Sequence, residues 1–217
     1  MTAEPPESPV TEAVRSLEVR WIFPGQLEAA VARWFARFPA TVESREDTYL
    51  LDPPLRGLSV KVRGSGALQV KVYRGSPGIL EVAGRARGRM ETWHKWSFRF
   101  SPLSPGVGDP PGWRPVHKKR RISRFSLASR QIAGRGARPA EQPGCEVELA
   151  EVRTGGQDWW TLGFEATGPA DLLRIELQAT AALVFAQALP GGMEPCPDDS
   201  RSYAQWLGWP PGAESGR

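Results

Sequence analysis

Between Gly57 and Gly75 the chain reads GLSVKVRGSGALQVKVYRG, two alternating runs about a Gly-Ser-Gly turn. Leu58, Val60, Val62, Leu68, Val70 and Val72 share one face; Ser59, Lys61, Arg63, Gln69, Lys71 and Tyr73 share the other. A two-residue loop would set a cation opposite a valine and turn half the hairpin over. A three-residue loop, Ser65-Gly66-Ala67, with glycine at a positive φ, keeps both faces intact. It predicts Val60 opposite Val72, Lys61 opposite Lys71 and Arg63 opposite Gln69. Facing residues lie ~5 Å apart, so the two lysines repel by roughly 1 kcal/mol in water and about 3 kcal/mol at an effective dielectric near 20. Such a face is either fully solvated or built to hold an anion between its cations.

Working outward, the same period of two recurs. Ser16–Phe23 (SLEVRWIF) sets Leu17, Val19 and Trp21 against Ser16, Glu18 and Arg20. Ala40–Leu51, Gly88–Phe100 and Val116–Leu127 alternate likewise, and Cys145–Val152 with Trp159–Gly168 reads as a hairpin around Gly155-Gly156. Ser76–Gly88 reads as a loop or ragged strand. Helical spacing predicts an amphipathic helix over Gly25–Phe38 and a helix of about twenty residues over Pro169–Leu189, with an apolar stripe of Leu172, Leu173, Ile175, Leu183 and Phe185. Residues 1–13 read as a disordered arm, 14–209 as one domain and 210–217 as a disordered tail, with proline- and glycine-rich excursions over Ser101–Arg114 and Ala128–Gly144.

Composition bounds the rest. The chain has 217 residues, 40% hydrophobic and 24% charged, with a net charge of +4, enough for one substantial core. No apolar run is long enough to span a membrane and no signal peptide opens the chain, so a soluble, cytoplasmic protein with no membrane partner is expected. Two cysteines without a CxxC pair, Cys145 and Cys196, argue against a disulfide framework or a thiolate metal site.

Strands with few intervening helices predict an antiparallel sheet. In most of them one face is apolar and the other dense in Lys, Arg and Glu. Repeated over many strands, that inventory predicts an α+β protein: an eight-stranded antiparallel β-barrel or tunnel, charged inside, with helices packed on its outside.

The order Glu18-x-Arg20, Asp47-x-Tyr49-x-x-Asp52, Lys61-x-Arg63, Gln69-x-Lys71, Arg89-x-Glu91, Lys118-x-Arg120, Glu146-x-Glu148 and LGFEATG, followed by Ser-Tyr-x-x-Trp-Leu, resembles the CYTH superfamily of triphosphate tunnel metalloenzymes. The resemblance implies a tunnel whose basic residues grip a triphosphate and whose carboxylates hold Mg²⁺ or Mn²⁺. It assigns substrate binding to Arg20, Lys61, Arg63, Lys71, Arg89, Glu91, Lys118 and Arg120, metal binding to Glu18, Glu146, Glu148 and Glu165, and a catalytic role to Glu18 and Lys71. Three positions depart from the family pattern: Ser16, Ala150 and Thr167 stand where acids are usual. The resemblance therefore supports polyanion binding more than metal-dependent turnover.

The expected ligand is a triphosphate-bearing small molecule: inorganic triphosphate, a nucleotide or thiamine triphosphate. If the protein is an enzyme, the expected reaction is metal-dependent phosphoanhydride hydrolysis. One alternative is a non-catalytic polyanion or nucleotide module on the same scaffold. The other is a nucleic-acid-binding barrel using the run His117–Arg124. Alternation sends Lys118 and Arg120 to one face of that run and Lys119 and Arg121 to the other, which leaves half of it for a groove and weighs against nucleic acid. Most of the nine tryptophans read as core. Trp93 shares a face with Glu91 and Lys95 and is the one suited to line a base, whereas His94 falls on the apolar side. No nucleophilic triad, P-loop or zinc spacing is present.

Overall fold

Eight strands close on themselves. The computed structural model describes residues 13–51, 57–64, 66–99, 112–126, 131–133 and 143–208. Its strands are β1 (Val14–Pro24), β2 (Thr41–Leu50), β3 (Leu58–Arg63), β4 (Ala67–Tyr73), β5 (Gly78–Val82), β6 (Ala86–Arg99), β7 (Trp113–Ser126), β8 (Gln131–Ala133), β9 (Gly144–Thr154) and β10 (Gln157–Thr167). The order around the barrel is β1-β10-β9-β7-β2-β3-β4-β6, and β6 returns to pair with β1. Every pairing is antiparallel. β5 extends the sheet from β6, so Gly78–Val82 is a true strand, and β8 pairs with β7. The α+β antiparallel tunnel expected from alternation is the architecture found. The arm over 1–13, the excursions over Ser101–Arg114 and Ala128–Gly144, the tail and Asp52 lie wholly or largely outside the described residues.

The central hairpin keeps its two faces but not the expected register. Lys61 faces Gln69, Ser59 faces Lys71 and Arg63 faces Ala67, so the loop spans residues 64–66. A shift of two residues conserves which side chains share a face, so the pattern of faces could not distinguish the two registers. The shifted turn is fixed by the Gly66 amide donating to Arg63 O (2.9 Å), with Gly66 at φ 79°, and by the Gly64 amide donating to Glu46 O on β2 (3.1 Å). Lys61 and Lys71 are therefore not opposed. Lys71 does meet a lysine, on its other side: its partner across the β4–β6 ladder is Lys95.

The outward side chains of β1, β9 and β10 build the main core under two helices. α1 (Ala29–Phe35) buries Val31, Trp34 and Phe35. It is shorter than the expected Gly25–Phe38, because Gly25 takes φ 88° and Phe38 precedes a proline. α2 (Leu173–Val184) is also shorter than Pro169–Leu189 and turns a different stripe inward: Leu173, Leu177, Ala181 and Val184, continued by Phe185. Ile175 and Leu183 stay 53% and 50% exposed. The helix begins only after Gly168-Pro169, and the inward stripe follows 3.6-residue spacing through small Ala181, which a search for large apolar residues passes over. Trp21 packs edge-on to Phe164 and Phe185, and Trp160 stacks on Phe23 at 4.2 Å.

A second, smaller cluster lies inside the barrel at one end. α3 (Tyr203–Gly208) lays Leu207, Tyr203 and Trp206 against the lumen-facing Tyr49, Val116, Ala150, Val152 and Trp159. Ala150, where the family pattern has an acid, thus belongs to an apolar plug.

Candidate functional site

The remaining lumen is a charged cavity of about 470 Å³. Period-2 alternation sends every second side chain into it, and the ladder order arranges them as two unlike walls.

The wall of β7, β2, β3 and β4 is basic. Lys118, Arg120 and Arg124 on β7, Arg45 on β2, Lys61 and Arg63 on β3, and Lys71 on β4 line it, with Glu43 as the carboxylate of β2 at the cavity surface. Asp47 stands behind them, fully buried, shared by Lys61 Nζ (3.1 Å), Lys118 Nζ (3.2 Å) and Arg45 Nε (3.3 Å). Burial opposes its ionisation, but Lys61, Lys118 and Arg45 outweigh that and hold it well below the usual carboxylate range. Glu43 takes part of the Arg45 charge at 3.3 Å, and Asp47 alone cannot neutralise both lysines. Burial pushes the Lys118 ammonium down to about 7 against the pull of Asp47 and Glu148, and burial with Lys118 pushes Lys61 well below its ordinary value. Lys118, its side chain 2% exposed, also donates to Tyr49 Oη (2.8 Å) and sits 3.6 Å from the centre of the Tyr203 ring.

Arg63 has even less support. Among the described residues no carboxylate lies within ion-pair distance of it. Nη2 donates to Gln69 Oε1 (3.2 Å), while its buried Nε has no hydrogen-bond partner among the described residues. Burial, and then Arg45, lower its pKa.

The wall of β6, β1, β10 and β9 is acidic. Ladder neighbours run Glu91, Glu18, Glu165, Glu146 across four adjacent strands, with Arg124 next on β7. Cations are interleaved with them. Lys71 Nζ donates to Glu18 Oε1 (2.7 Å) and lies 3.7 Å from Glu165, whose other oxygen accepts from Lys95 (2.8 Å). The Lys71–Lys95 apposition is thus filled by a carboxylate. Burial works against the Lys71 charge, but Glu165 and Glu18 raise its pKa. Glu148 is gripped by Arg20 (2.7 Å) and by Arg120, which also reaches Glu43 and Glu146. Gly163 makes room for Arg20, since a Cβ there would lie 2.7 Å from the guanidinium. Burial and Glu165 raise the pKa of Glu146; burial raises that of Glu91, eased by Trp93 and raised again by Glu18.

All of the residues named from the sequence therefore face the lumen, but not as one set. Lys61, Arg63, Lys71, Lys118 and Arg120 stand together on the basic wall. Arg20 projects from the acidic wall, and Arg89 is exposed at the edge of the cavity. Glu18 and Lys71 are bonded to each other. Glu18, Glu146, Glu148 and Glu165 share a wall without converging on a point: among the described residues no three His, Cys, Asp or Glu side chains gather as metal ligands. As placed, each of the four is held by a cation, so the site does not fit a resident divalent ion, which needs several oxygen ligands together.

Ser16 is fully buried and donates to Glu18 Oε1 (2.6 Å). Lys119 and Arg121 point outward to Glu151 (3.9 and 2.9 Å), as the alternation of that strand expects. His94 is half-buried on the outer surface, where it accepts from Arg15 (3.2 Å). Sequence reading did not single out Glu43, Arg45, Lys95, Arg124 and Tyr203. The first four were visible as lumen-side alternants of strands already identified. Tyr203 lay in the Ser-Tyr-x-x-Trp-Leu motif, but alternation says nothing of where a residue outside the strands falls.

No family model matches the sequence, and no curated protein does. Among solved structures the chain is similar to a conserved hypothetical protein from Pyrococcus furiosus, at 17% identity over 87% of this chain and 98% of that one, with a TM-score of 0.45. It is similar to the RNA triphosphatase domain of the mimivirus mRNA capping enzyme at 10% identity over 83% and 91%, TM-score 0.44. An RNA triphosphatase of S. pombe matches at 12% identity over 82% and 81%, TM-score 0.40.

Proposed function

We propose that the barrel binds a triphosphate-bearing compound along its basic wall and does so without a resident metal ion. The observation that carries this is Arg63: a partly buried guanidinium, beside Arg45 and Arg120, with no carboxylate partner among the described residues and an unbonded Nε. A buried cation left unpaired is costly, and a polyanion reaching Arg63, Lys61 and Lys118 would remove that cost. Charge-assisted hydrogen bonds to phosphate oxygens are the strong ones, and guanidinium groups present them in pairs. On this reading Lys71 belongs to the phosphate wall, with Glu18 as its counter-ion in the unliganded protein. Arg20, Arg120 and Arg124 keep Glu148 and Glu146 from repelling the ligand.

Hydrolysis of the phosphoanhydride is not required by this reading. A screen of tripolyphosphate, nucleoside triphosphates and thiamine triphosphate tests it, measuring binding by calorimetry and phosphate release with and without Mg²⁺ or Mn²⁺. Binding in the absence of divalent metal, with little or no release in its presence, is the expected result. Absence of any polyphosphate binding would end the proposal, and brisk metal-dependent release would show that the carboxylates rearrange into a ligand set.

A further inference from the structure

The outside of the basic wall carries an apolar face that the two cores do not absorb. Val62, Leu68 and Phe98 stand opposite one another across β3, β4 and β6, and Val60, Val70 and Trp96 form the next row. A third row, Leu58 and Val72, ends at His94. Alternation turns all of them away from the lumen. Among the described residues none of them joins either apolar cluster, and α2 packs on β1, β5, β9 and β10 instead. Outward valines on the far side show what cover does. Val19 and Val147 are 2% and 0% exposed there, whereas Val62 is 37% exposed and the rest of the three rows are half-buried. With strands ~4.8 Å apart and same-face residues ~6.8 Å apart, the rows cover about 300 Å² of sheet. The largest apolar patch on an ordinary monomer is about this size and often functional.

Charge sits at two diagonal corners of the patch. Beyond the Val62 row, Glu46 on β2 adjoins the β3–β4 turn through the Gly64 amide (3.1 Å), and its exposed carboxylate meets His117 (3.0 Å). Beyond the opposite corner stand two exposed arginines. Arg15 on β1 donates to His94 Nε2 (3.2 Å), and the Arg74 amide donates to Thr92 O on β6 (2.8 Å).

We infer that this face docks a second copy of the chain, face to face, about a two-fold axis lying in the plane of the sheet and perpendicular to the line joining the two corners. That operation lays the Glu46 corner of each copy on the Arg15–Arg74 corner of the other and closes apolar rows on apolar rows. The charges select a second copy as the occupant, because one surface supplies both the acid and the bases that complement it, as an isologous contact requires. Stable interfaces take about 800 Å² per partner, so the rows form the dry centre, the charged corners fall in the rim, and the dimer is reversible. The inference concerns the outside of β3 and β4 and stands whether or not the lumen binds a polyanion.

Analytical ultracentrifugation of the full chain across the micromolar range, without ligand, tests it. A monomer–dimer equilibrium is expected. Val62→Lys, which puts a charge in the apolar centre, and Glu46→Arg, which sets like charges together, should each weaken the dimer by about tenfold or more. Adding Arg15→Glu and Arg74→Glu to Glu46→Arg reverses both corners and should restore most of that loss. The corner residues are exposed, so the charge swap reads the interface even where Val62→Lys fails to fold. A chain that stays monomeric at the highest concentration would overturn the inference and leave the face to another partner. A dimer indifferent to Val62→Lys would overturn it too, since association would then lie elsewhere. Failure of the swapped corners to restore a dimer weakened by Glu46→Arg would overturn the two-fold arrangement.

Discussion

The two walls of the lumen are made by the same device, alternation on antiparallel strands, yet they end in opposite electrostatic states. On the acidic wall nearly every carboxylate meets a cation: Glu148 takes two arginines, Glu165 two lysines, Glu18 one lysine. On the basic wall three cations crowd Asp47, only Arg45 among them also meeting Glu43, and among the described residues Arg63 has no carboxylate within ion-pair distance. One wall is satisfied and holds the barrel together. The other is left with excess charge, which is what a binding surface for an anion requires. A cation therefore contributes to stability or to ligand binding according to the wall that holds its partner.

The largest expected effect comes from the satisfied wall. Glu148→Gln leaves Arg20 and Arg120 short of their shared charge in a buried setting. Removing one partner of such a pair costs about 3–5 kcal/mol, which for a domain of this size lowers the melting temperature by roughly 6–20 °C. Thermal denaturation of the unliganded variant checks this. A loss under about 1 kcal/mol would mean that the network is no stronger than a surface cluster, and the contrast between the walls would fail.

Arg63→Gln should do the reverse. With no ion pair to lose and repulsion from Arg45 and Arg120 relieved, the unliganded variant should melt at or above the wild-type temperature. Tripolyphosphate affinity should fall by about tenfold to a hundredfold, the equivalent of one charge-assisted contact at roughly 1.5–3 kcal/mol. If stability drops and affinity holds, Arg63 is a structural residue.

How far the sequence disclosed these walls depends on the kind of signal. Alternation in GLSVKVRGSGALQVKVYRG and in SLEVRWIF assigned Lys61, Arg63, Lys71, Glu18 and Arg20 to the inside, because facing is a local property of the strand. Partnership was not legible. Whether Lys71 meets Lys61 or Lys95 depends on a two-residue register choice that leaves the faces unchanged, and on which strand β4 takes as its other neighbour. The expected repulsion between Lys61 and Lys71 is absent for that reason: the Lys71 ammonium holds Glu18 and Glu165. The apolar plug was invisible too. Ala150 looked like a lost acid until Leu207 and Tyr203 were seen to fill its end of the barrel, a contact across more than fifty residues of chain.

The basic wall should also show itself in pH dependence. For Lys118 the folded pKa is lowered to about 7, so between there and the ordinary lysine value the unfolded chain binds more protons than the native one. Stability therefore rises with pH through that window and carries the full penalty below it. One proton gives at most about 1.4 kcal/mol per pH unit. Lys61, lowered for the same reason, acts in the same sense. Urea denaturation at pH 7 and pH 9 should show the rise, and Lys118→Met should flatten it. A wild type equally stable at both pH values would mean that Asp47 keeps both lysines fully charged.

The smallest effect is expected from the cations that the same strand turns outward. Lys119 and Arg121 alternate with Lys118 and Arg120 and pair with Glu151 on the barrel surface. Exposed pairs of this kind contribute about 0.2–1 kcal/mol and are screened by salt. Lys119→Gln with Arg121→Gln should change stability by no more than about 1 kcal/mol, with the difference shrinking at high salt. The double variant removes as much positive charge as Lys118 and Arg120 together supply, yet tripolyphosphate affinity should stay within about twofold of wild type, because neither side chain reaches the lumen. Calorimetry at two salt concentrations decides the point. A tenfold loss of affinity would show that the outer face of β7 takes part in anion binding. The polyanion would then be held on a basic strand rather than in a barrel, as a nucleic-acid-binding surface would hold it.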